Sequence, residues 1–110
     1  MMKQINGSEI SAETGATDKI TVVDFSAQWC GPCRMLHPVL ESLSEEMADN
    51  VNIVKVDIDQ SPMEANKFGV QGVPTMIVFH GGREIDRMVG FRDKGTLKRD
   101  LEALAKGHLS

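Results

Sequence analysis

Two buried-strand patterns that enclose a helical pattern constrain the fold of this chain most strongly. Residues 20–27 and 51–57 are β-branched and mostly apolar on both alternating faces, which is typical of central strands covered by helices on either side. Between them, apolar residues at spacings of three and four predict a helix from near Cys33 to about Met47. A strand, a helix and a second strand predict a parallel pair with a right-handed crossover, and therefore an α/β domain.

Further patterns continue the alternation after residue 57. Ser61 is expected to cap a short helix in which Pro62 takes the first position and which ends at Gly69. Residues 75–79 and 84–89 flank a glycine-containing connection that suits an antiparallel hairpin. Because the second of these segments alternates between apolar and polar residues, we expect it to lie near an edge of the sheet.

The final pattern predicts a helix, whereas the first patterns in the sequence are weak. Asp93 is expected to cap this helix, and Gly107 is expected to end it. Residues 3–5 give a weak signal for a first strand, and residues 9–14 give a weak signal for a first helix. These elements complete an alternating order along the whole chain.

The composition excludes several classes of protein. The 110 residues suit one domain, spanning 1–110, and the net charge of −4 argues against nucleic-acid binding, which needs clustered Lys and Arg. No apolar run has the length of a signal peptide or a membrane span, so we expect a cytoplasmic protein without a membrane partner. Two cysteines are too few for a secreted disulfide framework, and a close pair in a reducing compartment is more often catalytic or metal-binding.

Cys30 and Cys33 lie where the first buried strand ends and the helix begins. Unpaired N–H groups and the helix dipole favour negative charge at that position, so we expect Cys30 to be the thiolate nucleophile in disulfide exchange and Cys33 to resolve the mixed disulfide. One helical turn separates their Cα atoms by about 5 to 6 Å, which suits a disulfide bond. Gly31 and Pro32 lie between them, and proline is compatible with an early helical position.

A zinc site is the alternative interpretation of the cysteine pair. Cys30, Cys33 and His37 would share one helical face, but a structural zinc ion normally takes four ligands. No second pair of Cys or His occurs at the usual spacing. The sequence therefore favours redox chemistry without a metal, and we expect His37 to lie on the surface or in a groove.

Two ionisable residues interrupt the buried strands. Asp24 lies in an apolar strand, where loss of solvation raises the pKa of a carboxyl group and makes it a candidate proton acceptor. Lys55 interrupts the next strand, and mutual proximity is the simplest explanation for both. We predict that the pair relays protons to Cys33; a buried polar pair that serves only packing specificity is the alternative.

Several short motifs together resemble the thioredoxin family, and they are distributed over essentially the whole chain. These motifs are Val23-Asp24-Phe25, Trp29-Cys30-Gly31-Pro32-Cys33, Asp57-Ile58-Asp59, Gly72-Val73-Pro74-Thr75 and Gly81-Gly82. The resemblance implies the thioredoxin fold, a five-stranded mixed sheet in the order 1-3-2-4-5 flanked by four helices. It also implies that Asp24 transfers a proton to or from the resolving cysteine and that Lys55 lies near Asp24.

The resemblance further implies a docking edge beside the cysteines. In this family the proline that matches Pro74 is cis and faces the cysteine pair, which leaves the backbone of Val73 free to pair with an extended substrate. For Ile58 and Val89, plain core packing is the alternative. The positions that match the family's apolar docking surface are Trp29, Gly31, Pro32, Ile58, Gly72, Val73, Val89 and Gly90.

The function implied by the resemblance is reduction of disulfides in diverse other proteins. Such a protein-disulfide reductase holds no cofactor, because a separate thioredoxin reductase passes electrons from NADPH to its cysteine pair. We expect a monomer, because Cys30 must stay uncovered to reach its substrates. Two alternatives are a disulfide oxidase or isomerase of the same fold, and a binding subunit that docks through the surface around Trp29. Three departures from common family residues bear on partner choice, namely Ser26, Gln28 and Arg34.

Overall fold

A mixed five-stranded sheet with the strand order β1-β3-β2-β4-β5 forms the centre of the fold. The computed structural model describes residues 2–15 and 18–109. Four α-helices and one short 3-10 helix accompany the sheet in these residues, so the predicted thioredoxin-type architecture is confirmed. The elements are β1 (Lys3–Ile5), the 3-10 helix (Gly7–Glu9), α1 (Ile10–Gly15), β2 (Ile20–Ser26), α2 (Gly31–Glu46), β3 (Val51–Asp57), α3 (Pro62–Lys67), β4 (Thr75–His80), β5 (Arg83–Val89) and α4 (Lys94–Leu109).

The predicted parallel pair forms the middle of the sheet. β3 lies parallel to both β1 and β2, whereas β4 pairs antiparallel with β2 and β5. In this register Asp24 lies opposite Lys55 on one side and opposite Met76 on the other. The two ionisable residues of the buried strands are therefore direct neighbours.

Apolar side chains cover both faces of the central strand, all seven residues of which are buried. Val22 on one face packs in a cluster with residues of α2 and α4, and Val23 on the other face packs in a cluster with residues of α1 and α3. Burial on both faces explains why β2 is apolar without strict alternation. No helix within the described residues has the length and apolar character needed to cross a membrane.

The predicted hairpin joins β4 and β5. Gly81 and Gly82 both have positive φ angles, of 59° and 80°, which suits the tight two-residue turns that connect antiparallel strands. Among the described strands β5 pairs only with β4, and it has several exposed residues, so its predicted place at an edge is confirmed.

The last helix begins as predicted but ends later. The Asp93 side chain accepts a hydrogen bond from the Thr96 amide at 2.9 Å, which caps the first turn. The prediction that Gly107 ends α4 is wrong, because the helix continues to Leu109. Leu109 packs against the core, and this burial offsets the cost of about 1 kcal/mol for a glycine inside a helix.

Ser61 lies at the start of α3, but its side chain does not cap that helix. Its hydroxyl oxygen instead accepts a hydrogen bond from the Gly7 amide at 2.9 Å. Both residues are buried, so the hydroxyl satisfies a backbone donor that water cannot reach. The contact joins the 3-10 helix to α3.

Replacement of Ser61 with Ala is expected to lower the free energy of unfolding by about 1 to 3 kcal/mol, because it leaves the buried Gly7 amide without an acceptor. Urea denaturation of both proteins measures the difference. Ser8→Ala, at an exposed position of the same 3-10 helix, is the control and should change stability by less than about 0.5 kcal/mol. Equal stability of the Ser61→Ala variant and the parent chain would contradict this account.

Candidate active site

The cysteine pair lies at the carboxyl end of β2, where the chain enters α2. Cys30 and Cys33 form a disulfide bond, and their Cα atoms are 5.2 Å apart, within the predicted range. Only 6% of Cys30 and 3% of Cys33 is exposed. Little of either residue is therefore open to solvent.

Cys30 is the N-cap residue of α2, which begins at Gly31, two residues earlier than predicted. The amide of Cys33 donates a hydrogen bond to Cys30 Sγ at 3.2 Å. In the reduced pair, this donor and the positive end of the helix dipole favour the thiolate of Cys30 over its thiol. The expected location of Cys30 at a helix N-terminus is thus confirmed.

Pro74 lies beside the cysteines at the start of β4. The Val73–Pro74 peptide bond is cis, and Cys30 Sγ lies 3.6 Å from the Val73 carbonyl oxygen. The Pro74 carbonyl accepts a hydrogen bond from the Gly90 amide at 2.8 Å, so the residues after β5 hold this segment in place. The geometry expected from the family resemblance is present.

Asp24 is fully buried, and neither of its carboxyl oxygens has a hydrogen-bond partner among the residues that the structure describes. Burial raises its pKa to about 7, while the positive charge of Lys55 opposes the rise. The expected proximity of the two residues and the direction of the pKa shift are both confirmed. A carboxyl group with this pKa can exchange a proton near neutral pH.

A cleft of about 280 Å³ lies beside Cys33 and is also lined by Lys55. His37 lies in the cleft, and its Nδ1 is 3.4 Å from Lys55 Nζ. Within residues 2–15 and 18–109, no three His, Cys, Asp or Glu side chains are arranged to hold a metal ion. The residues that line the cleft are Ala27, Gln28, Cys33, Arg34, His37 and Lys55.

Exposed apolar groups surround the cysteine pair. Trp29 is 67% exposed and Val89 is 59% exposed, so the core-packing alternative for Val89 is wrong. Ile58 is half-buried and packs with Val73 against the two cysteines, although it also contacts the core. A groove of about 120 Å³ runs beside these residues and is lined by Trp29, Ile58, Val70, Gln71, Gly72 and Val73.

The remaining residues of the predicted docking surface have different degrees of exposure. Pro32 and Gly72 are exposed, Gly31 and Gly90 are half-buried, and Pro74 is buried. Val89 lies opposite Thr75 in the β4–β5 register, next to Pro74. The predicted docking surface therefore extends from Val89, next to the cis-proline, to the groove beside Trp29.

Sequence reasoning missed the residue that holds Trp29. The indole Nε1 donates a hydrogen bond to Asp59 Oδ2 at 2.9 Å, and the Asp59 amide in turn donates to Asp57 Oδ1 at 2.8 Å. Asp59 belongs to one of the recognised motifs, but it lies thirty positions from Trp29, and no spacing rule connects them. Two carboxyl residues, one at the end of β3 and one in the loop after it, thus fix the orientation of an exposed aromatic ring.

Comparison with known proteins identifies the family. The thioredoxin family model matches residues 2–103. A thioredoxin of Chlamydia muridarum is 48% identical over 96 residues, which cover 87% of this chain and 92% of that protein. A thioredoxin of Bacillus subtilis is 44% identical over 88 residues, covering 80% and 83%. A bifunctional thioredoxin reductase/thioredoxin of Mycobacterium leprae is 40% identical over 98 residues, which cover 89% of this chain but 21% of that longer protein. The chain belongs to the thioredoxin family and is a thiol–disulfide oxidoreductase of the protein-disulfide reductase type, whose redox centre is its own cysteine pair.

Proposed function

We propose that the chain reduces disulfides of diverse proteins with Cys30 as nucleophile and Cys33 as resolving residue, and that a thioredoxin reductase then restores its dithiol. The observation that supports these roles most directly is the geometry at Cys30. Its sulfur lies at the N-terminus of α2, accepts a hydrogen bond from the Cys33 amide and contacts the Val73 carbonyl. The nucleophile is therefore placed next to a backbone segment that can hold an extended substrate.

The exchange proceeds in two steps. The Cys30 thiolate attacks one sulfur of the substrate disulfide; a mixed disulfide forms, and the other substrate sulfur leaves as a thiolate that takes a proton from water. Cys33 then loses its proton and attacks Cys30 Sγ. The bond between Cys30 and Cys33 forms, the second substrate sulfur leaves, and two electrons have passed to the substrate.

Asp24 is the proposed acceptor of the Cys33 proton. Its pKa of about 7 allows it to take a proton from a thiol and to release it again near neutral pH. Lys55 lines the cleft together with Cys33 and lies next to Asp24 in the sheet, so it connects the buried carboxyl group with that cleft. A role limited to packing specificity does not explain a carboxyl group whose two oxygens are buried without partners.

The docking surface is proposed to bind substrates mainly through their backbone. The backbone of Val73 next to Pro74 offers hydrogen bonds that ignore side-chain identity, while Trp29 and Val89 provide exposed apolar contact area. A broad range of protein substrates follows from such recognition. The cytoplasmic location and the monomeric state stay predictions.

Re-reduction by a separate enzyme draws support from one relative. The Mycobacterium leprae protein is named a bifunctional thioredoxin reductase/thioredoxin, and this chain resembles a part of it. Fusion of the two activities in one chain suggests that the separate proteins also act in succession. NADPH would then supply electrons to the reductase, and the Cys30–Cys33 disulfide would receive them.

The reduction of insulin tests both parts of the proposal. With dithiothreitol as reductant, the chain should accelerate the precipitation of reduced insulin; with NADPH and a bacterial thioredoxin reductase, it should accelerate NADPH consumption in the presence of insulin. Failure in both assays would contradict the disulfide reductase function. Activity with dithiothreitol but with none of several reductases would contradict only the proposed partner.

Replacement of Val89 with Glu is expected to raise KM for insulin about 5- to 10-fold with little change in kcat, because it places a charge on apolar contact area. Met63→Glu is the matched control, since Met63 is also exposed but lies on α3 outside the docking surface. Steady-state insulin reduction measures both variants. If the two variants have the same KM, Val89 does not contact the substrate.

A further inference from the structure

His37 contacts Lys55 and lines the same cleft as Cys33, but it has no role in the proposed exchange steps. It lies four residues after Cys33 on α2, and side chains at this spacing are neighbours on a helix surface. It is half-buried in the same cleft as Cys33 and Lys55. A titratable ring at this position has both the access to solvent and the contacts needed to influence the site.

The contact between His37 and Lys55 has a definite direction. Lys55 Nζ is an ammonium group that only donates hydrogen bonds, so His37 Nδ1, 3.4 Å away, must accept. An imidazole that accepts at Nδ1 carries its hydrogen on Nε2. In this state the imidazole is a partner for the ammonium group within the cleft.

The same ammonium group has a second potential partner, the carboxyl group of Asp24. Asp24 and Lys55 are opposite each other in the β2–β3 register, yet neither Asp24 oxygen has a hydrogen-bond partner. A lysine that bonds His37 directs its charge toward the cleft and does not pair with the buried carboxyl group. His37 and Asp24 therefore compete for Lys55.

We propose that His37 is a positioning residue of the redox site, which accepts a hydrogen bond from Lys55 and so holds that ammonium group in the cleft, away from direct contact with Asp24. The proposal rests on the proposed role of Asp24 as proton acceptor. Unpaired, Asp24 keeps a higher proton affinity than it would have in a direct ion pair. This affinity suits a group that must take the proton of a thiol.

The other charged groups near His37 have partners of their own. Arg34 Nη1 donates to the Gln28 carbonyl at 2.8 Å, at the entrance of the cleft. Glu41, one turn further along α2, accepts a hydrogen bond from the Met2 amide at 3.1 Å. Arg34 and Lys55 are the charged residues that line the cleft with His37, and Arg34 and Glu41 lie one turn before and after it on α2. Lys55 is the one that links His37 to Asp24.

The titration of Asp24 in the oxidised protein tests the proposal, because no thiol titrates in that state. The carboxyl ¹³C chemical shift of Asp24 is followed against pH by NMR. His37→Leu is expected to lower the midpoint by roughly one pH unit, a tenfold change in acid dissociation, since the freed ammonium group can approach the carboxyl group. His37→Asn, whose amide oxygen can still accept from Lys55, should keep the midpoint near that of the parent chain.

Loss of the His37 ring could also lower the Asp24 midpoint by letting water into the cleft. The same substitution made in a variant without Lys55 separates the two effects. In the Lys55→Met background, His37→Leu should leave the Asp24 midpoint unchanged, because the residue through which His37 acts is gone. An equal fall in both backgrounds, no fall in either, or an Asn variant that behaves like the Leu variant would overturn the proposal. If the Leu variant does not fold, His37→Met makes the same comparison.

Two further measurements complete the design. His108→Leu, at the exposed end of α4, is the control for loss of a histidine and should not move the midpoint. The pH dependence of insulin reduction by Asp24→Asn tests the proposed function independently. If that variant is as active as the parent chain at every pH, Asp24 is not the proton acceptor, whereas the titrations still decide whether His37 positions Lys55.

Discussion

Replacement of Cys33 with Ser is expected to lower insulin turnover on the order of 10³-fold while leaving the first step of exchange intact. Cys30 keeps its place at the N-terminus of α2, and the backbone amide of residue 33 still donates to its sulfur. The thiolate can therefore attack a substrate disulfide. Without a second thiol the mixed disulfide cannot be resolved within the protein, so the covalent complex accumulates.

The matched variant is Cys30→Ser, which should lose turnover to the same extent but form no covalent complex. The thiol that remains, Cys33, is only 3% exposed and lies inside the first turn of α2, whereas Cys30 is the N-cap residue whose sulfur accepts a backbone N–H. Mass spectrometry of each variant after incubation with insulin, under non-reducing conditions, distinguishes the two. A covalent complex through Cys33, or an active Cys33→Ser variant, would contradict the assignment of nucleophile and resolving residue.

The parts of the fold that sequence reasoning predicted are those in which local pattern and burial agree. The segments 20–26 and 51–57 are strands because their β-branched residues pack on both faces, and the helical stripe between them made their parallel pairing the simplest connection. The proximity of Asp24 and Lys55 followed from the same reasoning, because two isolated charges in neighbouring apolar strands are too costly unless they interact.

The features of the fold and the site that sequence reasoning could not predict depend on contacts between residues far apart in the chain. Ser61 has the composition of a helix cap, but the tertiary fold places the Gly7 amide within reach of its hydroxyl group. Two further contacts arise in the same way. The segment before α2 brings Trp29 to Asp59 in the loop after β3, and the packing of α2 against β3 brings His37 to Lys55. Local propensity gives no information about such register.

Asp24 connects the stability of the fold with the chemistry of the site. A buried carboxyl group without hydrogen-bond partners destabilises the folded protein whenever it is charged. The same destabilisation gives the group a pKa near the working pH of a proton acceptor. The property that makes Asp24 a proton acceptor is therefore expected to lower the free energy of unfolding. The size of this destabilisation should depend on pH.

Replacement of Asp24 with Asn is expected to stabilise the protein at high pH and to have little effect at low pH. The pKa of Asp24 is about 7 in the folded protein against 3.8 in the reference state, and at 1.36 kcal/mol per pKa unit this corresponds to about 4 kcal/mol. Because the folded-state value is raised, the folded protein binds the proton more tightly. The stabilisation that proton binding at Asp24 gives the folded protein is complete below pH 3.8. It declines as the pH rises toward about 7 and is lost above that value.

The difference in unfolding free energy between Asp24→Asn and the parent chain isolates this contribution from that of every other acid. We expect it to be near zero at about pH 3.5 and to reach about 3 to 4 kcal/mol at about pH 8.5, because Asn resembles the protonated carboxyl group in shape but cannot ionise. Urea denaturation of the oxidised proteins across this range measures it. Asp100→Asn, at an exposed position of α4, should show no such trend. A difference that stays constant with pH, or that falls as the pH rises, would mean that Asp24 ionises in the folded protein at least as readily as in water. Its assignment as the proton acceptor of Cys33 would then lose its physical basis.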